Sequence, residues 1–554
     1  MELDLRFKKK ISKFYLKDFD IISKDSIYDF NIFYSKISKN QSLDWWFSSP
    51  ASRYNLSSPF FHNFCIFKFI DHLHKNNKLP KKIIIDSQAI YIELKKYFNK
   101  NNIEIKIILK KNRFEKIKIF IKNYLIFLHQ FLYRMVQLLI FKILIKNKIY
   151  IPNNIIIIDK YIFTGYEIKE RYYNGLLKNL DNYTNKIYFV PTLTMIKTRD
   201  LLKTYNILRK SNNKYIFKEN FYSLYDVFYS LGHFFRKRKL KFNDCQYKDI
   251  QYKNIIKEEL NNDSIAFFAA VESFLTISFI KKLKDNNIKI SKIIDWFENQ
   301  TVDKAWNYGF NLYYPTVNSL GYKGMAPSQM LQSEIYTLDI ERKNKFLPKT
   351  IGVIGDGFIE EATKYNKHTP IITCPAFRFN YLWSNIKIEN NFKRKILFAL
   401  PISIDQSLQI ISNIRSFQKT KYEILIKAHP TTNKNIYIKF LYLNKITNYK
   451  FVNLTAEDLL IDIDYFVGGM SSISLEAICL GIRTIIVENN SGINYFTIPK
   501  EINKNNYTLL KDGQNLYEII ENLKNENLNY DDILKIKKKY FEPISKKSLK
   551  KFIA

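Results

Sequence analysis

The sequence predicts an α/β protein with two Rossmann-like domains, each built on a parallel sheet. Three observations predict this fold. Short apolar runs bounded by polar turns recur along the 554 residues, segments of helical length alternate with them, and a polar, charged stretch at 383–395 separates two such series. Strand–helix alternation favours parallel strands joined by crossover helices. A chain of this length is also too long for one ordinary domain.

The predicted strands are the apolar runs, since strands buried on both faces are apolar almost throughout. They lie at 81–87, 103–109, 154–159, 186–192, 289–297, 349–355, 369–374, 394–401, 422–430, 465–469 and 483–488. Predicted helices between them include 266–284, 407–419 and 471–481. We place an N-terminal domain at 1–385, a C-terminal domain at 393–530 and a basic C-terminal helix at 531–554.

A basic and apolar helical insertion is predicted at about 112–150, within the N-terminal domain. Polar residues such as His129, Gln130 and Arg134 interrupt its most hydrophobic part, 119–145. The uninterrupted apolar length of ~20 residues that a membrane span needs is therefore not reached. Two interpretations stay open, a helix buried against the domain and a helix lying in a membrane interface, which flanking lysines and many aromatics favour.

The charge of the chain limits its partners. A formal net charge of +36 attracts nucleic acid, anionic membranes and phosphorylated small molecules. No RNP, KH or helix-turn-helix signature is visible, so we expect no nucleic-acid partner. The four cysteines are scattered without a CxxC pair, which is typical of a reducing compartment. The N-terminus lacks an apolar signal region, and we expect a cytoplasmic protein in peripheral contact with the anionic inner membrane.

Two motifs follow predicted strands of the C-terminal domain, where parallel sheets bind ligands. His429 and Pro430 end the run at 422–430, and Gly469, Ser471 and Ser472 end the next one at a predicted helix start. Glycine permits tight turns and close approach to a ligand, and a helix N-terminus favours an anion. Each motif alone is more typical of a solvated histidine or an ordinary helix cap. Together they predict a phosphate site at one sheet edge.

Glu476 lies one turn into the predicted helix. A capping box would need Glu or Gln three residues after the cap. Ser474 and Leu475 stand in those places for Ser471 and Ser472. Glu476 is therefore predicted to be available for a ligand.

The segments AHP at 428–430 and GGMSSISLEAICLG at 468–481 resemble the donor-binding half of GT-B glycosyltransferases. They are most similar to bacterial enzymes that use CMP-activated sialic acids or Kdo, over roughly residues 393–500. The resemblance implies that the His429–Pro430 motif and the Gly469, Ser471 and Ser472 turn bind the nucleotide phosphate, that Glu476 contacts the ribose, and that Ser403 lies near the donor. More loosely, 44–61, 296–310 and 321–325 resemble uncharacterised bacterial surface-carbohydrate biosynthesis proteins.

The catalytic base departs from the pattern of the sialyltransferase-like enzymes, which carry an acidic pair before glycine. Here Asp356, between two glycines, is the one acidic residue of the nearest match. Glu298 is the second candidate, because it directly follows a strand among aromatics that would raise its pKa. An ordinary helix cap or ion pair is the alternative for Glu298.

Two arginines are candidates for binding an anionic sugar or phosphate. Arg378 follows the strand at 369–374, and Arg53 is the weaker candidate. A guanidinium pairs well with such anions, although a structural role is the alternative for both. No DxD-type metal motif is evident, and we expect neither a metal nor another cofactor.

The leading interpretation is a glycosyltransferase. It would move a sugar from a nucleotide-activated donor, most plausibly CMP-linked, to a surface glycan or lipid-linked glycan in capsule or lipopolysaccharide synthesis. The alternatives are transfer of a polyol phosphate from a CDP-activated donor, and a non-catalytic basic protein that binds membrane or nucleic acid. A dehydrogenase is disfavoured because no GxGxxG follows a strand.

Overall fold

The computed structural model describes residues 2–110, 114–145, 151–165, 170, 172–180, 186–263, 266–384, 393–469, 471–490, 492–524 and 529–553. Two six-stranded parallel sheets and one three-stranded parallel sheet organise these residues, and helices connect the strands. The predicted α/β class with two Rossmann-like domains is confirmed. The predicted domain boundary at 385–393 falls largely outside the described residues.

The strands are β1 (Glu2–Asp4), β2 (Lys82–Ile85), β3 (Lys106–Leu109), β4 (Ile155–Ile162), β5 (Ile187–Leu193), β6 (Gln246–Tyr247), β7 (Ile250–Gln251), β8 (Ile290–Trp296), β9 (Asn318–Lys323), β10 (Thr350–Val353), β11 (Ile371–Thr373), β12 (Lys395–Ala399), β13 (Glu423–Lys427), β14 (Lys450–Phe451), β15 (Tyr465–Gly468), β16 (Arg483–Val487) and β17 (Thr508–Leu510). Each predicted apolar run overlaps one of them.

The helices are α1 (Lys13–Ile37), α2 (Leu43–Trp46), α3 (Ser49–Ser52), α4 (Phe60–Lys75), α5 (Gln88–Lys100), α6 (Glu115–Leu139), α7 (Leu201–Lys210), α8 (Leu224–Leu231), α9 (His233–Arg236), α10 (Lys253–Asn262), α11 (Ala266–Asp285), α12 (Thr301–Tyr313), α13 (Gln332–Ile335), α14 (Asp339–Lys343), α15 (Ile359–Thr363), α16 (Tyr381–Ser384), α17 (Ile404–Ser412), α18 (Lys434–Leu443), α19 (Ala456–Leu460), α20 (Ile473–Cys479), α21 (Leu516–Leu523), α22 (Tyr530–Tyr540) and α23 (Lys546–Ile553). A π-helical segment, Ile140–Ile145, continues α6.

The N-terminal region contains two sheets where one Rossmann-like domain is predicted. β1 pairs in parallel with β2, and β2 with β3. These three strands pack with α1, α4 and α5 in a core that also holds many aromatics. The predicted strands at 81–87 and 103–109 therefore belong to a small separate sheet, in which β1 is the third strand.

The two large sheets have doubly wound strand orders. The N-terminal sheet runs β11-β10-β9-β8-β4-β5, and the C-terminal sheet runs β14-β13-β12-β15-β16-β17. Counting β12 to β17 as one to six gives the order 3-2-1-4-5-6 of dinucleotide-binding Rossmann folds. The order reverses between β12 and β15, which places the carboxyl ends of β13, β12 and β15 side by side.

The C-terminal segment connects the two domains. It forms two helices, α22 and α23, where a single helix is predicted. The Glu542 N–H donates to the carbonyl of Ile354 at 2.6 Å, and the Ala376 N–H donates to the carbonyl of Glu542 at 2.8 Å. Apolar side chains of both helices join a core that runs from the N-terminal sheet to the C-terminal sheet. This segment therefore fixes the cleft between the domains.

Candidate functional site

A cavity of about 330 Å³ lies at the carboxyl ends of β12, β13 and β15, where the strand order reverses. Its C-terminal wall includes residues 399–400, 427–430 and 471–473, which follow these strands. Its opposite wall includes Glu170, Asn174, Arg378 and Tyr381. The volume is in the range of small-ligand sites, ~300–1,000 Å³. The cavity therefore occupies the cleft between the two large sheets.

The structure brings most of the sequence-predicted site residues together in this cavity. Those that line it are His429, Pro430, Ser471, Ser472, Glu476 and Arg378. The two motifs meet because β13 and β15 flank β12 in the sheet. Their roles in donor binding stay predictions.

The loop after β13 orients the imidazole of His429. The Thr431 N–H donates to Nδ1 at 3.3 Å, and the Thr431 hydroxyl lies 2.8 Å from the same nitrogen. The Thr432 hydroxyl donates to the His429 carbonyl at 2.8 Å. Because Nδ1 accepts a backbone hydrogen bond, Nε2 carries the proton of the neutral ring. The ring can thus donate from Nε2 while it is neutral.

The turn after β15 differs in detail from the prediction. α20 begins at Ile473, and Ser472 occupies the N-cap position without a side-chain capping bond. The Ser472 hydroxyl instead donates to Oε1 of Glu476 at 3.2 Å, and the Tyr381 hydroxyl donates to Oε2 at 2.5 Å. Burial raises the pKa of Glu476, while the positive charge of Arg378 opposes the increase. Two hydroxyls therefore hold Glu476 at the cavity wall, and its contact with a ribose stays a prediction.

The glycines of this turn are closely packed. A Cβ on Gly468 would lie 2.6 Å from the ring of Phe466, and one on Gly469 would lie 2.6 Å from the amide of Gln406. Ser403 belongs to the same arrangement, because its hydroxyl accepts from the Gln406 N–H at 3.4 Å and caps α17. Ser403 thus acts as a helix cap, and Ala399 and Leu400 line the cavity from that strand end.

Residues that the sequence did not single out complete the cavity. Lys427 lies directly before the Ala-His-Pro motif and donates to the Leu454 carbonyl at 2.6 Å. Thr455 caps α19 through a capping box with Asp458. Tyr381 comes three residues after Arg378. The Thr455 loop follows β14, whose two residues give no recognisable strand signal.

A second cavity, of about 310 Å³, lies on the N-terminal side of the cleft. Lys323, Glu334 and Tyr336 line it from the N-terminal region, and Thr497 and Glu501 line it from the C-terminal domain. The Thr497 hydroxyl donates to the Ser471 carbonyl at 2.6 Å. Since Ser471 lines the first cavity, this contact links the walls of the two cavities.

The second cavity contains groups with strongly perturbed ionisation. Burial raises the pKa of Glu334, and the negative charge of Glu298 raises it further. Burial lowers the pKa of Lys323 to about 7. The Lys323 ammonium donates to the carbonyls of Glu334 and Ile335 at 2.5 and 3.0 Å. A buried carboxyl group that ionises nearer neutral pH is suited to general acid–base chemistry.

Comparison with known proteins gives distant structural similarities. No protein-family model and no curated protein matches the chain. It is similar to S. aureus MnaA with UDP (TM-score 0.42, 10% identity, 72% of this chain and 95% of that chain). It is also similar to UDP-GlcNAc 2-epimerase from Neisseria meningitidis bound to UDP-GlcNAc (0.41, 12%, 72% and 98%) and to MurG from Acinetobacter baumannii (0.37, 8%, 72% and 98%). Because these identities and TM-scores are low, we argue the function from the residues of this chain.

Neither of the two predicted catalytic bases is among the described residues that line the two cavities. Glu298 accepts from Trp296 Nε1 at 2.9 Å and from Gln300 Nε2 at 2.7 Å. Asp356 is exposed and accepts from the Thr373 hydroxyl. The glycine that follows it is needed for packing, since a Cβ on Gly357 would lie 2.3 Å from the Tyr540 ring. Catalysis by either carboxylate stays a prediction, and Glu334 is one of several carboxyl groups that line the second cavity.

Arg53 has a structural role. Its guanidinium is buried, bonds Glu341 at 2.9 Å and also donates to the Tyr336 carbonyl at 2.7 Å. Burial raises the pKa of Glu341, but the charges of Arg53 and Lys304 bring it down to about 2. The interpretation of Arg53 as a ligand contact is therefore replaced by that of a buried ion pair.

Proposed function

We propose that the protein is a glycosyltransferase that takes a sugar from a nucleotide-activated donor. The observation that carries this proposal is the convergence of His429, Arg378 and the Ser471–Ser472 turn on one cavity, at the point where the strand order reverses. Nucleotides bind at such points in doubly wound sheets. Residues of the N-terminal domain also line the cavity, so a second substrate could approach the donor from that side.

The donor phosphate would bind among cationic and neutral donors of the first cavity. Arg378, Lys427 and His429 all line it. A guanidinium and an ammonium pair with phosphate through charge-assisted hydrogen bonds, and a neutral imidazole donates from Nε2. When the bond between the anomeric carbon and the phosphate oxygen breaks, these groups stabilise the negative charge that develops on the leaving phosphate.

The acceptor would bind in the second cavity, with Glu334 as the base. In the ionised form, Glu334 takes the proton of the acceptor hydroxyl while that oxygen forms a bond to the anomeric carbon. Its raised pKa makes it a stronger base than an ordinary carboxylate. The contact between Thr497 and Ser471 links the walls of the two cavities, which supports binding of the donor and the acceptor next to each other.

In more detail, we propose that the donor is CMP-linked. The acceptor is a surface glycan or a lipid-linked glycan. Both assignments are supported by the resemblance of residues 428–430 and 468–481 to enzymes that use CMP-activated sugars. A role in capsule or lipopolysaccharide synthesis follows from the same resemblance.

A thermal-shift screen with CMP, CDP, UDP and GDP tests the donor assignment. We expect CMP to raise the melting temperature of the protein. A response to UDP or GDP alone would overturn the CMP assignment and leave a glycosyltransferase with another donor. No response to any of the four would contradict nucleotide binding.

Product analysis by mass spectrometry, with the donor that the screen selects and a glycan acceptor, tests the reaction. We expect the acceptor mass to increase by one sugar unit. An increase by glycerol phosphate or ribitol phosphate would show polyol phosphate transfer, which the same phosphate contacts would also support.

A further inference from the structure

α6 buries polar residues against the protein and exposes a row of apolar residues, which is the opposite of a usual amphipathic helix. Its polar residues Asn123, Gln130, Arg134 and Gln137 are buried. Eight of its large apolar residues face outward, with exposed fractions of 43–61%, while Tyr133 and Leu138 are buried. The members of this outward row are Ile117, Phe120, Ile121, Tyr124, Leu125, Leu128, Leu132 and Leu139. A helix of a soluble protein normally turns its apolar stripe toward the core.

The buried polar residues fix this orientation. Arg134 forms an ion pair with Glu272 at 2.8 Å, and Lys218 donates to the same carboxylate. The Gln137 amide donates to Glu219 at 2.6 Å, and the Asn123 amide donates to a backbone carbonyl at 2.5 Å. Rotating α6 to bury its leucines would leave these charged and polar groups without partners, which is strongly unfavourable.

The exposed apolar face continues onto the neighbouring helices α8 and α9. The rings of Phe131 and Phe228 lie 6.0 Å apart, and those of Phe127 and Phe235 lie 5.5 Å apart. On these two helices the exposed large apolar residues are Leu224, Tyr225, Phe228, Tyr229 and Phe235. Contiguous exposed apolar surfaces of this kind indicate an interaction with a partner or a membrane.

Basic side chains accompany this face. Lys118, Lys122 and Lys142 are exposed on α6 and its continuation, and Arg238, Lys239 and Lys241 are exposed just after α9. Lysine and arginine beside a row of leucine and aromatic residues match the headgroup and acyl layers of an anionic bilayer. Their long apolar stems let the charges reach the headgroups.

We propose that the outer face of α6, together with α8 and α9, docks in the plane of an anionic lipid bilayer. The segment Ile117–Ile145 is long and apolar enough, by length and composition, to cross a membrane. A crossing would withdraw Arg134 from Glu272 and place it in the acyl region, at a high energetic cost. An in-plane helix keeps that pair intact and immerses only the outward residues. This inference does not depend on the proposed enzymatic function.

Flotation with vesicles tests the apolar part of the surface. We expect the protein to float with vesicles that contain phosphatidylglycerol. Phe120→Ser/Leu125→Ser should lose at least tenfold in partition coefficient, because two side chains leave the acyl layer. The matched control is Tyr442→Ser/Leu443→Ser, which removes two exposed apolar residues of the C-terminal domain and should float like the parent. Equal flotation of Phe120→Ser/Leu125→Ser and the parent would overturn the proposal.

A charge-removing variant tests the preference for anionic lipid. Arg238→Ala/Lys239→Ala/Lys241→Ala should bind on the order of a hundredfold more weakly at low salt, since each basic residue near an anionic surface contributes about fivefold. Lys419→Ala/Lys421→Ala/Lys439→Ala, which removes exposed lysines elsewhere, is the control. Equal binding of both triple variants, or equal binding of the parent to phosphatidylcholine vesicles, would contradict the charge assignment.

A fluorescent label distinguishes lipid from other occupants of the surface. The four cysteines are buried, so Leu125→Cys can be labelled selectively with an environment-sensitive dye. We expect its emission to shift to the blue when anionic vesicles are added, and sodium carbonate to release the protein. A blue shift that depends on protein concentration without lipid would indicate a second copy of the chain. Retention after carbonate would indicate a span. Either result would overturn in-plane docking.

Discussion

His429 depends for its orientation on the two threonines that follow Pro430. Hydrogen bonds from the backbone and hydroxyl of Thr431 fix Nδ1, and a bond from Thr432 closes the turn. A ring held in this way can donate from Nε2 without the entropic cost of ordering on ligand binding. The imidazole of His429 is therefore held in a fixed orientation before any ligand binds.

Arg378 is expected to contribute more to nucleotide affinity than an arginine outside the cavity. Arg378→Ala should raise the Kd for the preferred nucleotide by about 10- to 100-fold, as expected when a charge-assisted hydrogen bond is lost. The Kd is measured by titration calorimetry. Arg415→Ala, which removes an exposed arginine of the C-terminal domain, is the control. Equal affinities of the two variants would exclude Arg378 from the donor site.

Glu272 is expected to stabilise the fold above acidic pH. Burial raises its pKa, but the charges of Lys218 and Arg134 bring it to about 2, below the ordinary value of 4.5. The stabilisation is therefore present above pH 4.5 and is lost as the pH falls toward 2, and it amounts to roughly 3 kcal/mol. Glu272→Gln should lower the free energy of unfolding in urea at pH 7 by about 3–5 kcal/mol.

The difference between the parent and Glu272→Gln should become smaller as the pH is lowered from 5 to 3. Urea titrations at several pH values measure this difference. A difference that stays constant over this interval would show that the Glu272 carboxylate is not the group that titrates.

Among the elements, the helix α22 depends on the loop between β10 and α15. The backbone and ring of Tyr540 lie directly against Gly355 and Gly357. The docking of the C-terminal segment thus explains Gly355 and Gly357, whereas catalysis by Asp356 between them stays a prediction. Small residues here allow two backbones to approach closely.

Gly357→Ala should destabilise the protein by about 1–3 kcal/mol, because the new methyl group overlaps the Tyr540 ring. Tyr540→Ala removes that overlap, so the double variant should be more stable than the sum of the two single effects predicts. Thermal or urea unfolding of the three variants measures the coupling. Strict additivity would contradict the contact.

The sequence predicts the elements that have a strong local signal. Buried strands such as β4, β13 and β15 are recognisable because each contains a run of three or four consecutive apolar residues. β14 has only two residues, and β9 contains polar residues and a glycine, so neither gives such a run. The separate sheet of β1 to β3 depends on pairing between residues about 80 positions apart in the sequence, which no local pattern encodes.

For the candidate site too, the sequence predicts the residues that have a local signal and misses those that depend on tertiary contacts. His429, Ser471 and Ser472 follow recognisable strands, and strand adjacency brings them together. The partner of Glu476 is Tyr381, 95 residues earlier. Glu334 and Thr497 lie outside regular strands and line the second cavity. Contacts of this kind depend on tertiary packing, so the sequence did not reveal them.

At the scale of the whole molecule, the two sheets and the C-terminal segment form one cleft with two adjacent cavities. The first cavity lies at the carboxyl edge of the C-terminal sheet, and the second lies between the N-terminal region and residues 497–501. Apolar side chains of α22 and α23 belong to the core that both sheets share. This shared core holds the walls of the two cavities in fixed positions. In the proposed reaction, the donor binds in the first cavity and the acceptor in the second.

The most direct test of the central claim is the thermal shift produced by CMP in the parent, in His429→Ala and in His368→Ala. His368 is exposed and lies outside the cavity residues, so it is a matched control for the loss of an imidazole. We predict that CMP raises the melting temperature of the parent and of His368→Ala by the same amount, and raises that of His429→Ala by much less. Equal shifts in all three proteins, or no shift in the parent, would contradict donor binding at this cavity.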